Sequence, residues 1–433
     1  MELPMKASLL LLLILSFCTV CSADVYLNEL VSANVSVNTD YNGNYSDWIE
    51  LYNNGATAVN LTGYHLSDDS SNLAKYTFPN VNISAGQFLV VWASDMNTVY
   101  PNGQVHLNFK VDNTGEDIYL SSPANTVIDM LPAVALPNNF SYGRQPDGTG
   151  SWLFFPVPTP GAANTGFAYT ALLPDPVFSV ESGLYTASFN LTITDTDPLC
   201  EIRYTTNGSE PTVTSTLYTQ PISIHSMAGT PNKLSNIRTT IINTVNPDYQ
   251  PDFWDYPSGE VFKGQVILAK AFRTGYYPSS TITKSYFVDP AILTRYQMPV
   301  LSVVTDSVNF FGWDTGIMIA GSHYNGNPDH WDTANFGQSG EAWERAVHFD
   351  LINANGTLGY AANCEAHIHG GGSRRFNIKA FDLGAESAYG VSKFNYQMFP
   401  QKSLLSYNGV IVRGGGQDCQ KTTFRDAFMQ QLI

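Results

Sequence analysis

The sequence predicts a mainly β protein: two antiparallel β-sandwiches over its first two thirds, followed by an α+β region. Three observations predict it. Charged residues make up only 13% of the chain, while it carries 24 Tyr and 24 Phe; this composition suits strands with polar loops and not helix bundles. Short apolar–polar alternations, cut by Asn, Gly and Pro turns, continue as far as residue 289. From residue 298 the pattern changes to longer strands interrupted by glycine triplets and followed by one helix. A chain of 433 residues is expected to hold roughly two to four domains.

Residues 1–23 read as an export signal: Lys6 is the positive start, Leu9–Phe17 the apolar run, and Cys21-Ser22-Ala23 a small-residue cleavage site before Asp24. The apolar run is short for a membrane span, and no later segment is long and apolar enough for one. The product is expected to be secreted or held at the cell surface. Beyond the signal stand Cys200, Cys364 and Cys419, too few for a disulfide framework. Two readings stay open for them: a Cys364–Cys419 pair, or three buried thiols. The net charge of −16 argues against nucleic acid as a partner. From residue 340 onward nine Lys/Arg face eight Asp/Glu, so the acidity lies earlier and only the last region suits a phosphate.

Residues 24–166 alternate through VYLNELV, DWIELYNN, YHLSD, YTFPNV, QFLVVWAS and DIYLSS. Such spacing predicts a sandwich or Greek-key barrel. With FSYGRQPDG (140–148) and PTPGAANTG (158–166), the segment resembles the lamin-tail domain, which implies an immunoglobulin-like β-fold and no catalysis. Asp47, Glu50, Asp68 and Asp69 are read as hydrogen-bonded turn and strand-edge acids, since no loop gathers the six or so oxygens calcium takes.

Residues 176–289 alternate again, through SGLYTASFNLTIT, IRYTTNGSEP, VILAKAF, GYYPSS and KSYFV. The string RYTTNGSEPT (203–212) followed by LYTQPISI (217–224) resembles the immunoglobulin-like domain attached to chitobiases and hexosaminidases. An insertion at 226–260 carries Trp254 and Tyr256, read as packing on its own sandwich, with sugar stacking as the alternative.

Residues 298–433 form the third expected domain. MPVLSVVTD, ERAVHFDL, NCEAHIHGGGSRRF and NIKAFDL read as strands, and Thr423–Leu432 as a helix with Asp426 in its first turn. Glu365, His367 and His369 alternate on one face but supply only three donors, so no metal is assigned. GGGSRRFNIKAFDL, Tyr389-Gly390, Arg413 with its glycine triplet and Asp418, and the Arg425-Asp426 helix follow in order. Together they resemble the N-terminal part of the CotH kinase family, with Ile378 and Asn377 standing where the family has lysine and proline. The resemblance implies phosphoryl transfer from ATP with Mg²⁺ to Ser or Thr of a secreted protein. Glycines bring backbone N–H groups close to phosphate, and a strand lysine neutralises it. Lys379 takes that role, with Arg374, Arg375, Gly371, Gly372 and Ser373 around the nucleotide. Arg413, Asp418, Arg425 and Asp426 are assigned to structure. The acids that would hold Mg²⁺ and align the acceptor are expected past Ile433, which leaves this chain inactive. The alternative is a non-catalytic adhesion or envelope-binding protein, with carbohydrate a possible partner.

Overall fold

The computed structural model describes residues 25–241 and 257–414. The export signal, Trp254, Tyr256, Cys419, Asp418, Arg425, Asp426 and the expected 423–432 helix lie outside the described residues. The chain is 34% strand and 7% helix, as the composition predicts, and it divides into two compact units at Thr170/Ala171. No described helix is long and apolar enough to cross a membrane.

The first unit holds a seven-stranded sheet in the order Ser151–Phe155, Ser141–Gln145, Val25–Val31, Asp47–Asn53, Phe88–Ala93, Val105–His106, Thr98–Val99. A four-stranded sheet in the order Val127–Leu131, Ile118–Ser121, His65–Ser67, Tyr76–Thr77 is its second layer. Leu27, Ile49, Leu51, Leu66, Val91, Ile118 and Leu120 are buried, as inward positions of both sheets should be. The two central strands are covered on both faces, because polar residues are buried there as well. Asn28, Glu29 and Glu50 are all 0% exposed. A bulge between Leu27 and Glu29 lets consecutive polar side chains of one strand both enter the network. Glu50 accepts hydrogen bonds from Gly161 N (2.6 Å) and Asn28 Nδ2 (3.0 Å). Glu29 accepts from the Ser141 hydroxyl and from Thr159 N (3.2 Å). The segment 159–164 is thereby fastened over the sheet. Of the other acids weighed for calcium, Asp47 accepts from Asn34 N, Asp68 pairs with Lys75 (2.6 Å), and Asp69 accepts from Ser71 N.

The second unit begins with the expected sandwich. Its five-stranded sheet runs Gly183–Tyr185, Ile282–Val288, Gln265–Phe272, Glu201–Thr205, Thr216–Leu217. Phe178, Leu191, Ile193, Ile224, Ile267 and Tyr286 form its core. A five-stranded antiparallel meander follows, in the order Val300–Val304, Arg345–Ile352, Leu358–Ile368, Phe381–Gly384, Gly409–Val412. Phe349, Cys364, Leu383 and Phe394 fill one side of it.

Two contacts join segments that the sequence reading treats separately. Residues 298–414 have a core of their own on the meander, and a smaller buried cluster of Leu184, Ile292 and Ile352 ties them to the sandwich across the supposed 289–298 linker. Leu184 N also donates to Gly356 O (3.0 Å), and Ser302 Oγ to Ser285 Oγ (2.9 Å). The described part of the 226–260 insertion also reaches the last region. Ile241 is buried with Ile317, Phe336 and Ile368, and Thr239 Oγ1 donates to Asn377 O (3.1 Å). Apolar residues on both sides of a short linker gain by closing a shared cluster there in addition to the two cores.

Candidate functional site

The glycine turn lies between the third and fourth strands of the meander. Leu358–Ile368 ends at His369-Gly370, where Gly370 takes φ +99°, a conformation that favours glycine. Gly372–Arg375 then closes a single 3₁₀ turn. Arg374 N donates to Gly371 O (3.0 Å) and Phe376 N to Ser373 O (3.1 Å). A Cβ at Gly371 or Gly372 would meet nothing within 4 Å, so these two glycines face open space.

Lys379 lies beneath this turn and is only 6% exposed. Its Nζ donates to Arg374 O (2.7 Å) and Phe376 O (2.9 Å) and lies 4.1 Å from the centroid of the Phe336 ring. The ammonium therefore staples the turn from inside. Arg374 is likewise engaged, donating to Gly370 O and from Nη1 to Gln338 O (2.7 Å), and burial draws its guanidinium below the ordinary range. Arg375 stands 5.9 Å from the Phe376 ring centroid.

The structure does bring the two glycine-rich motifs together. Gly409–Val412 pairs with Phe381–Gly384, which carries Arg413 and Gly414 alongside Ile378 and Lys379. A Cβ on Gly414 would stand 2.5 Å from Ile378 O, so glycine is required there for close strand approach.

Beside the turn lies a cluster of four side chains, of which the sequence shows three. His367 Nδ1 meets Glu365 Oε2 (3.0 Å) and its Nε2 meets Asp382 Oδ2 (3.0 Å); His369 Nδ1 shares that oxygen (2.9 Å). Asp382 comes from the neighbouring strand through the His367↔Asp382 register, which strand alternation alone does not reveal. Burial raises the Glu365 carboxyl above its usual range, and the bond to His367 opposes the shift. Imidazole and carboxylate satisfy one another here, and no group of three or more such side chains among the described residues is arranged to hold a metal ion.

A nucleotide's phosphates need open N–H groups and an available cation. The turn's N–H groups at Arg374 and Phe376, the Lys379 ammonium and the Arg374 guanidinium all hold backbone carbonyls instead. As arranged, the Lys379 and Arg374 side chains hold the turn and are not turned out to meet a phosphate.

Comparison with known proteins gives two matches. A lamin tail domain model matches residues 21–134, and a chitobiase/β-hexosaminidase C-terminal domain model matches residues 180–232. The first match stops short of Ser141–Gln145 and Ser151–Phe155, which extend the same sheet. No CotH kinase model matched the last region, and no curated protein matched the chain.

Proposed function

We propose that this is an exported multidomain binding protein of the cell surface, whose last region works without transferring phosphate. The observation that carries this reading is the engagement of Lys379, whose Nζ lies 2.7 and 2.9 Å from two carbonyls of the glycine turn. A buried ammonium in such a place holds a turn together, and freeing it for phosphate would leave two buried acceptors without partners. The two sandwich families add no catalytic residues, and the chitobiase-type module favours carbohydrate over protein as the partner class.

Thermal melting of the full chain with and without Mg²⁺-ATP tests the reading. The melting temperature should not respond to nucleotide. Lys379→Ala should destabilise the second unit by about 2–4 kcal/mol through its stripped carbonyls. A nucleotide-dependent rise in melting temperature that disappears in Lys379→Ala would overturn it. That result would favour a second reading, phosphoryl transfer from ATP with Mg²⁺ to hydroxyls of a secreted protein. One observation supports the second reading: an antiparallel meander that sets the lysine one turn after the glycines and beside the Arg413 motif.

A further inference from the structure

A cavity of about 250 Å³ lies within the second unit, between the chitobiase-type sandwich and the meander. Its lining includes Glu210 and Thr283 from the sandwich, and Asp306, His348, Asn363 and Tyr389 from the meander and its connections.

The wall is held rigidly. Glu210 is fixed by Lys270 (2.8 Å) and by the Thr281 hydroxyl. His348 is held at both ring nitrogens, by Asn363 Oδ1 (2.7 Å) and by Oδ1 of the fully buried Asp350 (3.2 Å). Asp306 Oδ1 accepts from Val308 N (2.9 Å) and so caps the short helix Ser307–Phe311.

Among the polar groups of this wall with no protein partner among the described residues are Asp306 Oδ2, Asn363 Nδ2 and the Thr283 hydroxyl. One accepts, one donates and one does either. They come from three separate segments and converge on one small space, where a ligand offering both donors and acceptors would satisfy all three. The cavity is lined by two carboxylates and by no lysine or arginine, which disfavours phosphate and other anions. Its volume lies below the roughly 300–1,000 Å³ typical of pockets for drug-sized ligands, which points to a single ring. Tyr389 supplies an aromatic surface, with its hydroxyl tied to Glu344 Oε2 (3.3 Å).

We propose that this cleft binds one neutral sugar ring, using Asp306, Asn363 and Thr283 for its hydroxyls and Tyr389 for its C–H face. The assignment does not depend on what the glycine turn binds.

The experiment is titration of the full chain with glucose, galactose, mannose, xylose and N-acetylglucosamine, followed by saturation-transfer NMR. Inorganic phosphate and glucuronic acid serve as anionic probes. At least one neutral sugar should bind. Thr283→Val and Asp306→Asn should each weaken it about tenfold, the value of one good hydrogen bond. Both substitutions keep shape, and asparagine still caps a helix, so the melting temperature should hold. Tighter binding of the matching disaccharide would place the ring at the end of a polymer. The proposal is overturned if no neutral sugar in the series binds, if both variants bind as the native chain does, or if the anions bind better.

Discussion

Glu29 and Glu50 stand opposite each other in register on neighbouring strands, both shut off from solvent. Burial pushes the Glu29 carboxyl up to about 7 and that of Glu50 to about 8, with Asp147 adding to both shifts. Hydrogen bonds from Ser141, Thr159, Asn28 and Gly161 pull the other way and do not win. Both values are raised above the unfolded chain's ordinary 4.5. The folded unit therefore binds more protons than the unfolded chain between about pH 4.5 and 8, and its stability falls as pH rises through that window. The melting temperature of the first unit should drop by roughly 5 °C or more between about pH 5 and 8.5, and Glu29→Gln with Glu50→Gln should flatten the slope. A native profile that rises over that range would refute the protonated pair. The sequence offered a hint of this pair, an Asn-Glu step inside the apolar run VYLNELV. What it could not show was the cover, since Thr159 and Gly161 arrive from a distant segment. The engagement of Lys379 was hidden for a related reason. A lysine beside glycines looks like a phosphate ligand until the fold shows carbonyls at its ammonium.

Strands were the most legible elements. VYLNELV and DWIELYNN became Val25–Val31 and Asp47–Asn53, and ERAVHFDL became Arg345–Ile352, because alternation and turn residues act locally. Ser141–Gln145 and Ser151–Phe155 were harder to see, since a glycine and a short turn interrupt their pattern. Turns that abut distant chain were not legible at all. The Asn207-Gly208 turn is a case: Gly208 has φ +84°, and a Cβ there would stand 2.4 Å from Thr305 O. Gly229 has a similar φ of +81° with nothing within 4 Å, which makes it a control. Gly229→Ala should cost about 1–2 kcal/mol, the left-handed penalty alone. Gly208→Ala should cost about 1–3 kcal/mol more through the clash with Thr305. Urea midpoints of the two variants check this, and equal losses would mean that the contact is not tight in solution.

At the scale of the whole chain, the sandwich-then-meander order was readable from the change of pattern at 298, but the number of cooperative units was not. Ile292 is fully buried in the cluster it shares with Leu184 and Ile352. Ile292→Ala should therefore lower the stability of the second unit by about 2–5 kcal/mol while leaving the transition of the first unchanged. Calorimetry should show one transition for residues 171 onward, and two resolved transitions there would restore the separate domains. Limited proteolysis should cut near 166–176, at the boundary between the two units, and spare 289–298, where Ile292 is buried. The shared cluster also bears on how such a chain can be rearranged by recombination. A crossover near residue 170 would exchange the first unit and leave a closed core behind it. A crossover near 295 would instead leave Leu184 without Ile352 and would open one wall of the sugar cleft, so a transplanted meander must bring its sandwich with it.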